Sequence, residues 1–274
     1  MKFSKYHGGG NDFVVVDDRE ETFDHLDKHL IQKICHRNFG VGADGILLLQ
    51  NSSKAKYKMR IFNSDGSEAP SCGNGLSCFS RFIKDKILKN SDLEEVLDFH
   101  QTFSIETKAG LVKSIIKKNK VTLLMQDPKI LKKKQRIYIK DKHFDICLID
   151  SGVVHAVVFV DDITLDISIL GKEIRNHSYF EPHGTNVNFA KINTDHIQIR
   201  TFEKGIEAET LCCGTGAIAT AIAAYVHHKM FSPITLRFLS GDLIVTFEEK
   251  RGNVINTKLT SNVNYVYSGE FKLN

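Results

Sequence analysis

The sequence has no apolar run long enough to span a bilayer. Its first residues, from Met1 to His7, also lack the apolar core that a secretory signal needs. Both absences predict a cytoplasmic protein that has no membrane partner.

Metal-binding and nucleotide-binding signatures are missing as well. The six cysteines form no Cys-x-x-Cys pair, and the twelve histidines show no ligand spacing. The glycine-rich turn 7–13 precedes a strand instead of opening a helix, and it has no Lys-Ser/Thr of a P-loop. We therefore expect neither a metal centre nor a dinucleotide site.

A strong charge of one sign is also absent, since the net charge is only +4. One segment, Lys113 to Lys142, does carry ten lysines and one arginine. Apolar residues alternate with these charges, which is typical of a half-exposed strand and not of a nucleic-acid interface. The segment predicts a solvated sheet face, and we expect no nucleic-acid partner.

What the sequence does contain is a repeated tetrapeptide, Cys-Gly-x-Gly, at 72–75 and again at 213–216. Related residues precede both copies at nearly constant offsets. Arg60-Ile61-Phe62-Asn63 leads through Glu68-Ala69 to Cys72, Arg200-Thr201-Phe202-Glu203 leads through Glu207-Ala208 to Cys213, and Phe13–Asp18 resembles Val157–Asp162. Three matches in the same order predict two homologous domains that face each other across a cleft.

Short alternating apolar runs between Gly, Asn, Asp and Ser predict many strands. Only four segments have helical patterns: 24–37, 76–89, 164–175 and 217–230. Strand-rich halves with about two helices each predict an α+β fold of two similar domains, and not an alternating parallel sheet.

The repeated cysteines precede helix starts, where the helix dipole favours a thiolate. One thiolate and one thiol can remove a proton from one face of a carbon and deliver another to the opposite face, and they titrate as a coupled pair. The backbone N–H groups of Gly73, Asn74, Gly214 and Thr215 would stabilise the charge that builds on the substrate carboxylate. The other cysteines, 35, 78, 147 and 212, are predicted to be packing residues.

Several polar residues allow two interpretations. Asn11 either belongs to a tight turn or presents its amide to a ligand, and Asn63 either begins a type I turn or binds substrate. Asn186 is either a strand-end residue or a ligand contact. Glu203 and Lys204 form either an exposed ion pair or a grip on an ammonium and a carboxylate. The residues alone leave these alternatives open.

Taken together, the motifs resemble the diaminopimelate epimerase family, in order and over nearly the whole chain. The resemblance is carried by Tyr6–Phe13, Phe62–Glu68, Cys72–Gly75, Thr185–Phe189 and Glu209–Gly216. It implies two similar α+β domains with the active site between them, a homodimer, and catalysis without a cofactor or metal. It places the domains at 1–118, completed by a C-terminal strand at 263–274, and at 119–262.

The resemblance also implies the roles of individual residues. Cys72 and Cys213 would interconvert LL- and meso-diaminopimelate, a reaction of lysine and peptidoglycan precursor biosynthesis, and His155 would assist them. The residues that would hold the substrate are Asn11, Asn63, Asn186, Glu203 and Lys204, with Gly73, Asn74, Gly214 and Thr215 receiving the reacting carboxylate.

Three positions depart from the family pattern. Lys204 stands where the family commonly has arginine, so a point charge replaces a bidentate fork. Val153 stands where many members have an asparagine amide, and Gly45 where some relatives have glutamine. The first two changes fall where the non-reacting end of the substrate would be read. One alternative is therefore a racemase of the same fold acting on another amino acid such as glutamate. Alternatives of a different class are a thiol-redox or binding protein, in which Cys72 and Cys213 form a reversible disulfide, and, last, a metal-binding module.

Overall fold

The structure is a computed structural model that describes residues 1–88 and 100–272. The chain divides into two compact units, Met1–Leu124 with the segment from Ser261 onward, and Met125–Thr260. The ends of the predicted helix 76–89 and of the predicted strand 263–274 lie outside the described residues. The predicted domain limits at 118 and 263 stay a prediction.

The first unit is built from short strands that pair in a closed order. They are β1 (Lys2–Gly8), β2 (Asn11–Asp17), β3 (Gly45–Gln50), β4 (Tyr57–Asn63), β5 (Glu68–Ala69), β6 (Gln101–Thr107), β7 (Gly110–Lys117), β8 (Lys120–Leu124) and the C-terminal part of β17 (Asn253–Glu270). The order is β17–β1–β2–β3–β4–β6–β7–β8, with β2–β3 and β4–β6 parallel. Val263 N–H donates to the Asn119 carbonyl, which closes a barrel-like core of eight strands.

The described residues of this unit form two α-helices, α1 (Lys28–Cys35) and α2 (Gly73–Phe82), and α2 continues as a π-helical turn at Ile83–Ile87. Every residue of α2 from Gly75 to Ser80 is buried, because strands β1, β2, β7 and β8 surround the helix. Its polar residues are satisfied inside the core: the Ser80 hydroxyl donates to the Leu76 carbonyl and shares a 2.8 Å hydrogen bond with the Ser114 hydroxyl.

The second unit repeats this plan. Its elements are β9 (Lys129–Ile139), β10 (Lys142–Asp150), β11 (Val154–Phe159), α3 (Ile167–Arg175), β12 (Asn186–Ile192), β13 (Ile197–Glu203), β14 (Ala208–Thr210), α4 (Gly214–His228), β15 (Ile234–Phe238), β16 (Gly241–Lys250) and the N-terminal part of β17. The strands follow the order β9–β10–β11–β12–β13–β15–β16–β17, with β11–β12 and β13–β15 parallel. The alanine-rich helix α4 is buried from Gly216 to Ala224.

The two units thus have the same strand order, and their parallel strand pairs occupy equivalent positions in that order. Each unit also has a buried helix after a short strand, α2 after β5 and α4 after β14. The predicted α+β class with two similar, strand-rich domains is confirmed. No helix among the described residues is long and apolar enough to cross a membrane.

One detail of the sequence repeat was misaligned. Arg60 pairs with Glu68 at 2.8 Å, and Arg200 pairs with Glu209 at 2.5 Å, each across an antiparallel strand pair. Glu68 therefore corresponds to Glu209, and the match to Glu207 was wrong. Glu207 instead bonds Arg175 at 2.9 Å. Cross-strand partners, which sequence spacing does not reveal, decide this register.

Candidate active site

Cys72 occupies the N-cap of α2, three residues after the end of strand β5. Its sulfur accepts a hydrogen bond from the Gly75 N–H at 3.5 Å, and the first helical bond runs from Leu76 N–H to the Cys72 carbonyl. The N–H groups of Gly73 and Asn74 precede that bond, so they have no acceptor within the helix. A Cβ at Gly73 would meet no atom of the described residues within 4 Å, so an anion has room there.

Asn11 lies beside this thiol. The Cys72 thiol donates to Asn11 Oδ1 across 3.8 Å, while Asn11 Nδ2 donates to Asp44 Oδ2 at 2.8 Å. Arg37 in turn bonds both Asp12 and Asp44, at 2.9 and 2.7 Å. This ion-pair network holds the carboxamide so that its oxygen faces the sulfur.

Asn63 ends strand β4 and begins a turn. Its Nδ2 donates to the Ser67 hydroxyl at 3.0 Å, and its carbonyl accepts from Gly66 N–H at 2.9 Å. The turn interpretation of this segment therefore holds, and substrate binding by Asn63 stays a prediction. At Gly45, opposite Asn63 in the sheet, a Cβ would lie 2.4 Å from the Phe62 carbonyl oxygen. This backbone excludes a glutamine at position 45.

Cys213 occupies the equivalent N-cap of α4 and is buried. Its sulfur lies 3.5 Å from the Thr215 hydroxyl oxygen. The Glu203 carboxylate, whose Oε2 accepts a 3.0 Å hydrogen bond from the Thr210 hydroxyl, lies near enough to act on this thiol electrostatically. The first turn of α4 is fixed by Ser151, whose hydroxyl donates to the Thr215 carbonyl at 2.9 Å.

The electrostatics around Cys213 favour the protonated thiol. Burial, followed by the nearby charge of Glu203, raises the pKa of Cys213 to about 12, although the Thr215 hydroxyl and the Gly216 N–H lower it. Burial also raises the pKa of Glu203 above its ordinary value. Cys213 therefore holds its proton at neutral pH in this state.

His155 lies on β11, beneath the start of α4, with none of its surface exposed. Its Nε2 is 3.0 Å from the Thr215 hydroxyl oxygen, and its Nδ1 is 2.9 Å from Asn188 Nδ2. Burial lowers the pKa of His155 to about 3, so the ring is neutral. Thr215 therefore lies between His155 and Cys213, in contact with both.

Asn186 and Lys204 are engaged with the backbone. Asn186 Nδ2 donates to the Val154 carbonyl at 3.0 Å, and its Oδ1 accepts from the Lys204 N–H at 2.9 Å. Lys204 itself is exposed, and so is Val153. Asn186 thus ties the turn after β13 to β11, and the substrate contacts expected of Asn186 and Lys204 stay predictions.

The predicted residues therefore assemble into two groups, each within one unit. Asn11, Gly73 and Asn74 surround Cys72, whereas His155, Glu203, Gly214 and Thr215 surround Cys213. Sequence reasoning missed two buried polar residues, Asn188 and Thr201. The available signal was the pair Asn186-x-Asn188, which places two amides on one face of an otherwise apolar strand.

Three other thiols do not lie at helix N-termini: Cys35 ends α1, Cys78 lies within α2 and Cys147 lies on β10. Burial raises the pKa of Cys35 and of Cys147 to about 12, and it raises the pKa of the fully buried Cys78 as well. Within residues 1–88 and 100–272, no three His, Cys, Asp or Glu side chains are grouped so that they could hold a metal ion.

Comparisons with known proteins converge on one family. The family model described as diaminopimelate epimerase matches residues 3–131 and 147–265. A diaminopimelate epimerase of Archaeoglobus fulgidus is 40% identical, with 82% of this chain and 81% of that protein covered. That of Aquifex aeolicus is 36% identical, with 98% and 97% covered.

Solved structures share the fold at low sequence identity. A phenazine biosynthesis protein of the PhzF family from Bacillus anthracis superposes with a TM-score of 0.74 at 15% identity, covering 100% of this chain and 99% of that one. A hydroxyproline epimerase from Agrobacterium vitis gives a TM-score of 0.69 at 17% identity, with 98% and 90% covered.

Proposed function

Because the chain belongs to the diaminopimelate epimerase family, we propose that it interconverts LL- and meso-diaminopimelate with Cys72 and Cys213 as its two acid–base residues. The family resemblance expected from the Cys-Gly-x-Gly repeat is confirmed, and the enzyme class is isomerase. The observation that carries the cysteine assignment is that each unit places one thiol at the N-cap of its buried helix.

The two N-caps suit a reaction that passes through a carbanion. When the α-proton leaves, negative charge moves onto the substrate carboxylate. The N–H groups of Gly73, Asn74, Gly214 and Thr215 belong to the first turns of helices, and they would donate to those oxygens. The reaction requires both thiols to reach opposite faces of the same carbon.

Because Cys213 holds its proton, it is the thiol that would act as the acid in the first step. With its raised pKa, Cys213 would deliver a proton to one face, and Cys72, once it has lost the proton that it donates to Asn11 Oδ1, would remove one from the other face. After that step Cys72 holds the proton and Cys213 is the thiolate, so the pair is ready for the reverse direction. Proton number is conserved, and no redox partner is needed. The Glu203 carboxylate, which lies near enough to raise the pKa of Cys213, would exchange a proton with it between turnovers.

The substrate would be held by Asn11, Asn63, Asn186, Glu203 and Lys204. Lys204 and Val153 are exposed where a guanidinium and an amide are common in the family, which is the observation that favours a second candidate, a racemase acting on another amino acid such as glutamate. We further propose a cofactor-independent, cytoplasmic homodimer that serves lysine and peptidoglycan precursor biosynthesis.

Isotope exchange separates these candidates. The reduced protein is incubated in D2O with LL-diaminopimelate, L-glutamate or L-lysine, and α-deuterium and product chirality are followed by NMR and chiral chromatography. We expect exchange and inversion with diaminopimelate alone. Exchange with glutamate alone would support the second candidate, a racemase acting on glutamate. No exchange with any of the three amino acids would favour a thiol-redox or binding protein.

A further inference from the structure

Three fully buried polar side chains form a series beneath the N-terminus of α4. Thr201 on β13 lies directly opposite Asn188 on β12, and His155 lies on the adjoining strand β11. Thr201 Oγ1 donates to Asn188 Oδ1 at 2.8 Å, and Asn188 Nδ2 lies 2.9 Å from His155 Nδ1. His155 Nε2 then contacts Thr215 Oγ1 at 3.0 Å, which contacts Cys213 Sγ at 3.5 Å.

The series has one direction. A carboxamide oxygen only accepts hydrogen bonds and its nitrogen only donates, so Asn188, with its oxygen occupied by Thr201, presents N–H to His155 Nδ1. Nδ1 is then the acceptor, and the proton of the neutral imidazole is on Nε2. That N–H donates to Thr215 Oγ1, which leaves the Thr215 hydroxyl proton directed at the sulfur.

We propose that Asn188 is a positioning residue that fixes the tautomer of His155 and thereby aims the Thr215 hydroxyl proton at the sulfur of Cys213. The proposal rests on the proposed function only in that Cys213 acts as an acid–base residue. As a hydrogen-bond donor to the sulfur, the Thr215 hydroxyl stabilises the thiolate that forms after Cys213 has delivered its proton. This thiolate must form once in every catalytic cycle.

The first unit shows what the same positions contain when no such series is present. A Cβ at Gly216 of α4 would lie 2.6 Å from Asn188 Oδ1. At the equivalent glycine of α2, Gly75, the Cβ would instead meet Leu47 and Ile61, at 3.3 and 3.1 Å. Leu47 lies opposite Ile61 just as Asn188 lies opposite Thr201. An apolar pair therefore suffices to pack this part of the fold, so the polar pair is not needed for packing.

Two other groups beside Cys213 oppose the thiolate, whereas the Gly216 N–H favours it as the Thr215 hydroxyl does. Glu203 faces the sulfur from β13, Cys212 adjoins it in the chain, and both raise its pKa in addition to burial. The Thr215 hydroxyl acts in the opposite direction. Because a hydrogen bond to a charged group is among the stronger ones, loss of this donor should move the thiol limb of the pH–rate profile upward by about one to two pH units.

The tautomer can be read directly from the intact protein. With ¹⁵N-labelled histidine, and with the His155 signals assigned by a His155→Gln variant, we expect a pyridine-like Nδ1 and a pyrrole-like Nε2. Asn188→Asp should reverse this pattern, because a carboxylate accepts a hydrogen bond from Nδ1–H and so favours the tautomer with the proton on Nδ1. The matched control is Asn193→Asp, since Asn193 also contacts a histidine, His196, at 3.2 Å in the same unit. The control should leave the His155 signals unchanged. A pyrrole-like Nδ1 in the unaltered protein would overturn the proposal.

Kinetics test the consequence. Asn188→Asp and the uncharged Asn188→Leu should both shift the thiol limb upward, which separates the lost donor from an added charge, and Asn193→Asp should not shift it. Thr215→Ser should keep the original profile, whereas Thr215→Val should reproduce the shift. Unchanged profiles in both Asn188 variants would refute the proposal. Turnover by a Cys213→Ala variant would refute the proposed function instead, and the measured tautomer would still stand.

Discussion

Replacing Gly216 with alanine should destabilise the second unit, whereas the same change at the equivalent Gly75 should not. The new Cβ at 216 would lie 2.6 Å from Asn188 Oδ1 and 3.3 Å from Cys213 Sγ. Asn188 cannot move away freely, since it is fully buried and is held by Thr201 at 2.8 Å and by His155 at 2.9 Å. At Gly75 the close contacts of the Cβ would be the terminal methyl groups of Ile61 and Leu47, which can shift by a few tenths of an ångström, and the Cys72 Cβ would lie at an ordinary 3.5 Å.

The magnitudes follow from these contacts. Displacing Asn188 leaves a buried donor or acceptor unsatisfied, at a cost of about 1–3 kcal/mol. Alanine gains at most about 1 kcal/mol over glycine in a helix. With that gain subtracted, Gly216→Ala should lower the free energy of unfolding by up to about 2 kcal/mol. Gly75→Ala should leave it unchanged or raise it by up to about 1 kcal/mol.

Guanidinium denaturation followed by circular dichroism measures the difference between the two variants. Epimerisation by Gly216→Ala should fall as well, because the displaced Asn188 no longer orients His155. Equal unfolding free energies for the two variants, within about 0.5 kcal/mol, would show that Asn188 relaxes at little cost and would refute the reasoning.

Three further predictions concern charge. Glu203→Gln should lower the pKa of Cys213, because the substitution removes a negative charge that raises this pKa. In a Cys72→Ser background, the ultraviolet absorbance of the Cys213 thiolate should then appear at lower pH. An unchanged titration of the thiol would contradict this. His155 has a folded pKa of about 3, below the ordinary 6.5, so the unfolded chain protonates first as pH falls. Unfolding free energy should thus decline from pH 6.5 toward pH 3, with at most about 4–5 kcal/mol from this residue, and a His155→Gln variant should show a shallower decline. Arg200→Lys should lower the melting temperature more than Arg60→Lys. Arg200 donates to Glu209 through two nitrogens and also to the carbonyls of Ile163 and Leu165, whereas Arg60 donates to Glu68 through Nε. Equal shifts of the melting temperature would contradict this.

Features that depend on neighbouring residues could be predicted from the sequence. The Cys-Gly-x-Gly repeat predicted a thiol before each helix, and both cysteines do occupy N-cap positions, where the Cys72 side chain accepts a capping hydrogen bond and the Cys213 side chain does not. The helix starts were placed three residues late, at 76 and 217, because Gly, Asn and Thr have weak intrinsic helix propensity and concealed the first turn. Capping and tertiary burial start the helices at Gly73 and Gly214 all the same.

Features that depend on strand register could not be predicted. Asn188 meets Thr201 across an antiparallel pair and His155 across a parallel one, and no local pattern specifies either partner. The pairing of Arg200 with Glu209 in place of Glu207 has the same origin. Such contacts join residues that are distant in sequence and adjacent only after the barrel forms.

The central claim is that Cys72 and Cys213 are the two acid–base groups, and the rate of conversion of LL-diaminopimelate to the meso isomer tests it most directly. The rate is compared among the unaltered protein, Cys72→Ala, Cys213→Ala and the control Cys147→Ala, whose thiol is buried in the core. We expect each of the first two variants to lose about a thousandfold or more and the control to retain its rate. Near-normal epimerisation by Cys72→Ala or by Cys213→Ala would contradict the two-thiol mechanism.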